Sequence, residues 1–260
     1  MTEPIKTITQ FLENIEELTT KNEKLWFRGL ESNKHKLCPS IFRPPFSSSN
    51  EEQFLNKFKS RAIPFIESNY QNYDYWHWLF LMQHHGVPTR LLDWSSSAIT
   101  ALAFAVLYRD GKYKDDDAVV WCLNPVILND ENRIRMKLSP TEIIPDITLK
   151  KELMPTYKFN PTGIVKYPIA ITGPLNSARI VAQKGTFTLF PDTTAFNLEE
   201  TDDSSSFLTK ITISKESVEN IKRQLSTLGV TESTIFPELP SLGLEIKREF
   251  IDSLNPLTNV

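Results

Sequence analysis

A short segment near the middle of the chain constrains the fold more than any other feature. Residues 99–108 read ITALAFAVLY and are almost wholly apolar. A helix that is apolar on every side must be buried on every side. We therefore predict a buried helix over residues 96–108. Its apolar side chains should share one core with the aromatic residues of an earlier helix, the full predicted set being Trp76, Trp78, Phe80, Leu102, Phe104 and Val106.

The rest of the chain contains both helical and extended patterns. Apolar residues at three- and four-residue steps predict helices over residues 7–20, 51–65, 74–83, 215–228 and 242–250. Short apolar runs predict strands over residues 25–27, 118–123, 178–182, 186–190 and 208–213. Helices gather early and strands later, so we predict an α+β fold with a mostly antiparallel or mixed sheet.

Length and composition narrow the class of protein. A chain of 260 residues can bury a sizeable core, and we expect a single domain over residues 1–260 with its core in 20–250. Residues 124–175 are punctuated by prolines and predict an elaborated connection or an insertion. The formal net charge of −3 argues against charge-driven binding to nucleic acid or acidic membranes, although a local basic cleft fits the composition.

The sequence also bears on the compartment. The two cysteines, Cys38 and Cys122, predict no disulfide framework and fit a reducing environment. The first residues contain acids and no long apolar core, so we expect no signal peptide. No window holds the roughly 18 apolar residues that a membrane-spanning helix needs. We expect a soluble, cytoplasmic protein with no membrane association.

The first candidate site residue is Arg28, which follows a predicted strand and precedes Gly29. An arginine fixed by a strand can present its planar guanidinium to a phosphate or a carboxylate. Gly29 lets either a ligand or another backbone approach closely. The alternative is a structural salt bridge at Arg28.

The second candidate is residues 83–95, QHHGVPTRLLDWS, which carry two histidines, an arginine and an aspartate between two apolar helices. Polar groups held there must bond to each other or to a ligand, and the glycine and proline fix the shape of a loop. The adjacent histidines lack the spacing of a zinc site, so we predict no metal. A purely structural network, with Arg90 bonded to Asp93, remains an alternative.

Two later segments complete the candidate site. Arg179 and Gln183 lie on predicted adjoining strands; Gln183 can bind an amide or hydroxyl but cannot act as an acid or base at neutral pH. The alternative for this pair is an edge strand with solvated polar residues. Glu238 could close the site as a carboxylate, or it could begin the last helix as a favourable acid at its N-terminus.

Together these motifs resemble the FRG-domain family over roughly residues 20–250. The family usually has aspartate where this chain has Glu238. The segments that carry the resemblance are WFRG at 26–29, CPSIFR at 38–43, QHHGVPTRLLDWS at 83–95, ALAFAV at 101–106, RIVAQKGTFTL at 179–189 and IFPELPSLG at 235–243.

The resemblance implies that the chain is a bacterial or phage protein of the kind that looks like a toxin or defence component. It also implies an order of site residues along the chain similar to that of ADP-ribosyltransferases. It implies NAD as a candidate substrate. Arg28 would hold the diphosphate, Ser95 the nicotinamide ribose, and Trp94 or a nearby aromatic residue the nicotinamide ring. The remaining residues assigned to nucleotide binding are Gly29, Thr89, Arg90 and Arg179.

The chain differs from typical ADP-ribosyltransferases at the late strand. Those enzymes have a glutamate there, whereas this chain has Gln183. The groups that would have to substitute are Asp93, Glu238 and the pair His84 and His85. Three functions stay open: an ADP-ribosyltransferase or NAD glycohydrolase, a hydrolase or nuclease with a histidine base near Asp93, and a non-catalytic module that binds a nucleotide or a protein. The partners would be a nucleotide and an unidentified macromolecular acceptor or protein.

Overall fold

The computed structural model describes residues 3–21, 24–66, 70–109, 111–136, 144–146, 168–175, 177–191 and 197–254. Much of the predicted connection at 124–175 lies outside the described residues. The described strands form one six-stranded sheet in the order β4-β5-β2-β1-β3-β6, and its ladders are antiparallel. The α+β prediction is therefore confirmed. The strands are β1 Trp26–Leu30, β2 Leu91–Ser95, β3 Ala118–Leu123, β4 Ile169–Ile171, β5 Gly185–Leu189 and β6 Leu208–Ile213.

Helices cover both faces of this sheet. The α-helices are α1 Ile8–Lys21, α2 Glu51–Ala62, α3 Tyr75–His84, α4 Ala98–Val106, α5 Pro125–Met136, α6 Ala178–Ala182, α7 Ser204–Phe207, α8 Val218–Thr227, α9 Glu232–Ile235 and α10 Leu239–Leu254. Short 3₁₀ helices lie at Ser40–Phe42, Ser48–Asn50, Ile63–Phe65, Tyr70–Asn72, Gly111–Tyr113, Leu198–Glu200 and Lys215–Ser217.

The buried helix α4 is the centre of one core. The side chain of Ser97 caps it by accepting the N–H of Thr100 at 3.3 Å. Leu102 and Val106 are fully buried against α1, α8, β3 and β6. The predicted set does not share this core. Phe104 is only half-buried and packs at its edge, Trp76 and Phe80 lie in a cluster with β4 and β5, and Trp78 lies in another cluster with α2. The other face of the sheet carries a second core, which includes the large side chains of Trp26, Trp94 and Phe190.

Gly29 lets α4 lie directly on β1. A Cβ atom added at Gly29 would stand 1.8 Å from the carbonyl oxygen of Ala101 and 2.7 Å from the nitrogen of Ala105. The close neighbour of Gly29 is thus the backbone of α4. Of the two partners that the sequence allowed, a ligand or another backbone segment, the structure shows the backbone segment. Contact with a ligand is not needed to explain this glycine.

Two segments adopt structures that the sequence did not predict. Ala178–Ala182 was predicted as a strand and is the short helix α6, because the Ser177 side chain caps it by accepting the N–H of Ile180. Residues 91–95 were predicted as part of a loop and form the strand β2. This strand pairs with β5 along its whole length, and four of its five residues are buried.

Candidate functional site

A gap in the middle of the sheet positions the candidate site. β1 and β2 pair at a single position, Phe27 opposite Ser95, whereas β1 pairs with β3 at five positions and β2 pairs with β5 at five. Beyond the single pair, Nη1 of Arg28 donates a hydrogen bond to the carbonyl oxygen of Asp93 at 2.5 Å. A side chain thus spans the gap where a backbone ladder would otherwise continue.

Two adjoining cavities lie along this gap. The aromatic cavity, of about 210 Å³, has walls that include Phe27, Phe80, Phe104 and Phe187. The arginine cavity, of about 560 Å³, is more polar. Together they form the cleft described below. The residues that line both cavities are Arg28, Gln83, His84, Asp93 and Arg179.

Arg28 stands at the junction of the two cavities. Burial lowers the pKa of its guanidinium to about 10, opposed by the negative charge of Asp93 and assisted by the positive charge of Arg43. The group still carries its charge at neutral pH. Its Nε is shielded from solvent and makes no hydrogen bond within the described residues, so the guanidinium is incompletely bonded.

Two more arginines border the arginine cavity. Arg43 is held by bonds from Nε and Nη2 to the carbonyl oxygen of Cys38, at 3.0 and 2.6 Å. Arg179 lies over the ring of Phe236, 4.4 Å from its centre. Among the described residues that line this cavity, Asp93 carries the single carboxylate. The cleft is therefore locally positive in a chain of net charge −3.

A short chain of hydrogen bonds orients the Asp93 carboxylate. Asp93 is the one exposed residue of the otherwise buried strand β2. Its Oδ2 accepts from Nε2 of Gln83 at 2.8 Å, and the Gln83 Oε1 accepts in turn from the hydroxyl of Thr89. Thr89 is fully buried and lines neither cavity. Its role is to fix Gln83, which corrects its assignment as a ligand-binding residue.

The two histidines differ in their surroundings. His84 is half-buried, and this burial is the main reason that its pKa lies below the usual value. The positive charges of His85 and Arg179 lower the pKa further, whereas the negative charges of Glu238 and Asp93 raise it. A neutral imidazole at physiological pH can accept a proton. His85 is exposed, and its ring meets that of His84 edge-on with centres 4.8 Å apart.

Gln183 lines the aromatic cavity, whereas Glu238 lies outside the cleft. Gln183 caps the end of α6, and its Nε2 donates to the carbonyl oxygen of Ile235 at 3.2 Å. Glu238 is exposed and lines neither cavity. Its carbonyl oxygen accepts the N–H groups of Ser241 and Leu242 at the start of α10. The structure thus places Glu238 at a helix start, near enough to His84 to influence its charge.

Comparison with known families identifies the first part of this site. Residues 23–114 match the FRG domain. These residues form an FRG domain. The matched segment runs from before β1 to beyond α4 and contains Arg28, Gln83, His84 and Asp93, whereas Arg179 and Gln183 lie outside it. No curated protein and no solved structure matches the chain.

Arg90 of the FRG domain is a structural residue. It is 1% exposed, and its Nε donates to Oε2 of Glu51 at 2.7 Å, while its backbone N–H donates to Oε1 of the same carboxylate. Its Nη2 donates to the hydroxyl of Tyr75 at 3.2 Å. The alternative bond to Asp93 does not form, and the assignment of Arg90 to nucleotide binding is corrected, because its guanidinium is buried in the ion pair with Glu51 and lines neither cavity.

Trp94 and Ser95 border the aromatic cavity, but their polar groups serve the fold. Trp94 is 3% exposed, and its indole Nε1 donates to Oγ1 of Thr188 in the second core. It offers no open face to a flat ligand. The Ser95 hydroxyl donates to the carbonyl oxygen of Gln183 at 2.7 Å and accepts the N–H of Ser97. The Ser95 hydroxyl hydrogen is therefore already used within the fold and is not available to a ribose, contrary to the role assigned to Ser95.

Several residues that line the cleft were not assigned from the sequence. They include Ser40, Arg43, Phe80, Phe104 and Phe187, and Gln83 had no individual role within the candidate segment 83–95. Arg43 and Gln83 stood within the segments that carry the FRG resemblance, and their polar side chains beside apolar runs were the available signal. The aromatic residues gave no such signal, because a residue in a cavity wall and a residue in a core have the same periodicity.

Two further findings concern metal ions and membranes. Within the described residues, no group of three or more histidine, cysteine, aspartate or glutamate side chains is arranged to hold a metal ion. In the same part of the chain, no helix is both long enough and apolar enough to cross a bilayer.

Proposed function

We propose that the cleft binds a phosphate-bearing nucleotide, with NAD as the first candidate. The observation that carries this proposal is the position of Arg28, a charged and incompletely bonded guanidinium between an arginine-lined and an aromatic-lined cavity. A dinucleotide has the matching chemistry, with a central diphosphate and a flat ring on either side.

The phosphate would bind in the arginine cavity. Arg28 and Arg43 are already held by protein acceptors, so little side-chain entropy is lost when an anion arrives. Arg179 is similarly placed on the Phe236 ring. Charge-assisted hydrogen bonds to phosphate oxygens are among the stronger polar interactions in proteins. The low net charge of the chain means that this attraction is local.

A flat ring would enter the aromatic cavity. The rings of Phe80 and Phe187 meet edge-on there, with centres 4.8 Å apart, and half-buried Phe104 forms part of the wall. The side-chain nitrogen of Gln183 already donates a hydrogen bond to the carbonyl oxygen of Ile235. Its side-chain oxygen is left to accept from a carboxamide, which is the group that nicotinamide carries.

The chemistry would be cleavage of the bond between the nicotinamide nitrogen and the ribose. Such cleavage passes through a state in which the ribose carries positive charge, as in glycoside hydrolysis. Asp93, oriented by Gln83, would stabilise that charge. Neutral His84 would take the proton from the attacking water or acceptor hydroxyl. The products would be nicotinamide and either ADP-ribose or an ADP-ribosylated acceptor, in the toxin or phage-defence setting that the resemblance implies.

His84 and Asp93 together also support a second candidate function. A half-buried histidine with a lowered pKa beside a carboxylate suits a hydrolase that acts on the phosphate of the bound nucleotide. The two reactions differ in their products. Release of nicotinamide indicates cleavage at the ribose, whereas release of a mononucleotide or of inorganic phosphate indicates cleavage at the phosphate.

Isothermal titration with NAD and with ADP-ribose tests the proposal. We expect binding by the wild type and by Arg61→Ala, a control at an exposed arginine of α2 outside the cleft. Arg28→Ala should abolish binding, and Gln183→Ala should weaken NAD more than ADP-ribose, because only NAD carries the carboxamide. Chromatography of the same mixtures measures nicotinamide. No heat with any nucleotide at millimolar concentration would contradict the proposal and favour a protein-binding module.

A further inference from the structure

Arg179 is held at the cleft in a different way from the other two arginines. Arg28 and Arg43 each donate at least one N–H group to a backbone carbonyl oxygen. The guanidinium carbon of Arg179 instead lies over the Phe236 ring, 4.4 Å from its centre. Within the described residues, the Arg179 side chain makes no hydrogen bond and no ion pair, so the ring is the group that holds it.

The shape of a guanidinium gives this difference a chemical consequence. Its five N–H donors all lie in the plane of the group, whereas its face can stack on an aromatic ring. A guanidinium that is held by its face keeps every donor for a ligand. Two parallel N–H groups can then bind two oxygens of one phosphate. Arg179 lines both cavities, so these donors are available at their junction.

The Phe236 ring is itself fixed by the core around α4. The rings of Phe104 and Tyr108 meet it edge-on, with centres 5.6 and 5.1 Å away. The preceding residue, Ile235, is 4% exposed and belongs to the same core, and the half-buried Phe236 packs against it. The ring is therefore a fixed surface on which the longer and more flexible side chain of Arg179 rests.

A second contact joins the same two segments of the chain. Arg179 lies in α6, and Gln183 caps the end of this helix four residues later, on the same side. The Gln183 Nε2 donates to the carbonyl oxygen of Ile235 at 3.2 Å. Because this bond uses the backbone of Ile235, it does not depend on the side chain at position 236. The ring of Phe236 can therefore be removed without breaking the second contact.

We propose that Phe236 is a positioning residue, which holds the Arg179 guanidinium by its face so that Arg179 binds a phosphate of the ligand with two N–H groups. This inference rests on the proposed nucleotide site. Both residues lie outside the segment that matches the FRG domain. The later part of the chain would then supply a phosphate-binding residue and the ring that positions it.

Titration with ADP-ribose tests the effect on binding. Phe236→Leu keeps an apolar side chain but removes the ring, and we expect it to weaken binding about fivefold or more. Phe236→Tyr keeps the ring and should bind as the wild type does. The control Phe54→Leu removes the ring of a half-buried phenylalanine that lines neither cavity, and its affinity should not change. Unchanged affinity in Phe236→Leu would overturn the proposal.

A double-mutant cycle shows whether Phe236 acts through Arg179. Arg179→Gln should weaken ADP-ribose binding by itself, and the addition of Phe236→Leu should then have little further effect. If Phe236 only supported the fold, its substitution would weaken binding by the same factor in both backgrounds. That additive result would refute the positioning role.

Proton magnetic resonance tests the position of Arg179 without any nucleotide. The ring current of Phe236 should shift the side-chain protons of Arg179 upfield, and these signals are identified by their absence from Arg179→Gln. The shift should be lost in Phe236→Leu and kept in Phe236→Tyr. Unshifted signals in the wild type would overturn the contact. If the wild type bound neither NAD nor ADP-ribose, the proposed function would fail, and the upfield shift would still decide whether Phe236 holds Arg179.

Discussion

Arg28 and Asp93, 65 residues apart in the chain, are joined by a 2.5 Å hydrogen bond from the Arg28 guanidinium to the Asp93 carbonyl oxygen. The bond crosses the gap between β1 and β2, where the sheet pairs at one position only. The Asp93 carboxylate remains exposed to the cleft on the same strand. One contact therefore links the two halves of the sheet and places a cation beside an acid in the cleft.

Arg28→Lys separates the charge of this residue from its shape. A lysine keeps the positive charge but loses the planar fork that serves Asp93 and a ligand at once. We expect nucleotide binding to weaken by at least about tenfold, while the free energy of unfolding changes by less than about 2 kcal/mol. Titration calorimetry and urea denaturation measure the two effects. If Arg28→Lys loses stability by more than this, the residue is structural first.

Gly29→Ala should destabilise the protein strongly. The added Cβ would overlap the carbonyl oxygen of Ala101, so α4 must move away from β1. We expect a loss of about 3 kcal/mol or more in the free energy of unfolding. Gly111→Ala is the matched control, because nothing lies within 4 Å of its Cβ and its φ is not positive. Equal stability of the two variants in urea would contradict the packing argument.

Arg90→Ala should destabilise the protein without a direct effect on ligand contacts, because Arg90 lines neither cavity. It leaves the Glu51 carboxylate buried without its guanidinium partner, which typically costs about 3–5 kcal/mol. Replacing both residues together, as Glu51→Met and Arg90→Met, should recover most of that loss because no charge is then left buried. Denaturant unfolding of the two single variants and the double variant gives the coupling. Strictly additive losses would show that the pair does not act as a unit.

The lowered pKa of His84 predicts how stability depends on pH. The folded protein binds this proton less readily than the unfolded chain, whose histidine titrates near 6.5. Stability from this group is therefore full above pH 6.5 and is lost as the pH falls through the folded pKa. We expect His84→Gln to lose less stability than the wild type on acidification from about pH 7.5 to 5. His35, whose pKa burial also lowers, is present in both proteins and cancels.

Thermal melts across this pH range measure the difference. The two proteins should differ in the steepness of the decline below pH 6.5, with the steeper decline in the wild type. Parallel curves for the wild type and His84→Gln would contradict the assigned environment of the imidazole.

The sequence by itself determined the elements whose residues repeat regularly and the class of the fold. The apolar run at 99–108 required a buried helix, and the runs at 118–123 and 208–213 required strands, because each pattern reports burial of a local segment. The sequence also predicted that Arg28, residues 83–95 and residues 179–185 would converge, since polar groups between apolar elements need partners.

Only the tertiary structure decided which partner each polar group has. A buried arginine has the same sequence signature whether it faces a carboxylate or a ligand, and Arg90, just before β2, bonds to Glu51 at the start of α2. Trp94 and Ser95 likewise bond to β5 and to the end of α6. Local patterns fix how deeply a residue is buried, whereas the contacts that make a site form between segments far apart in the chain, and the packing of the sheet and helices sets them.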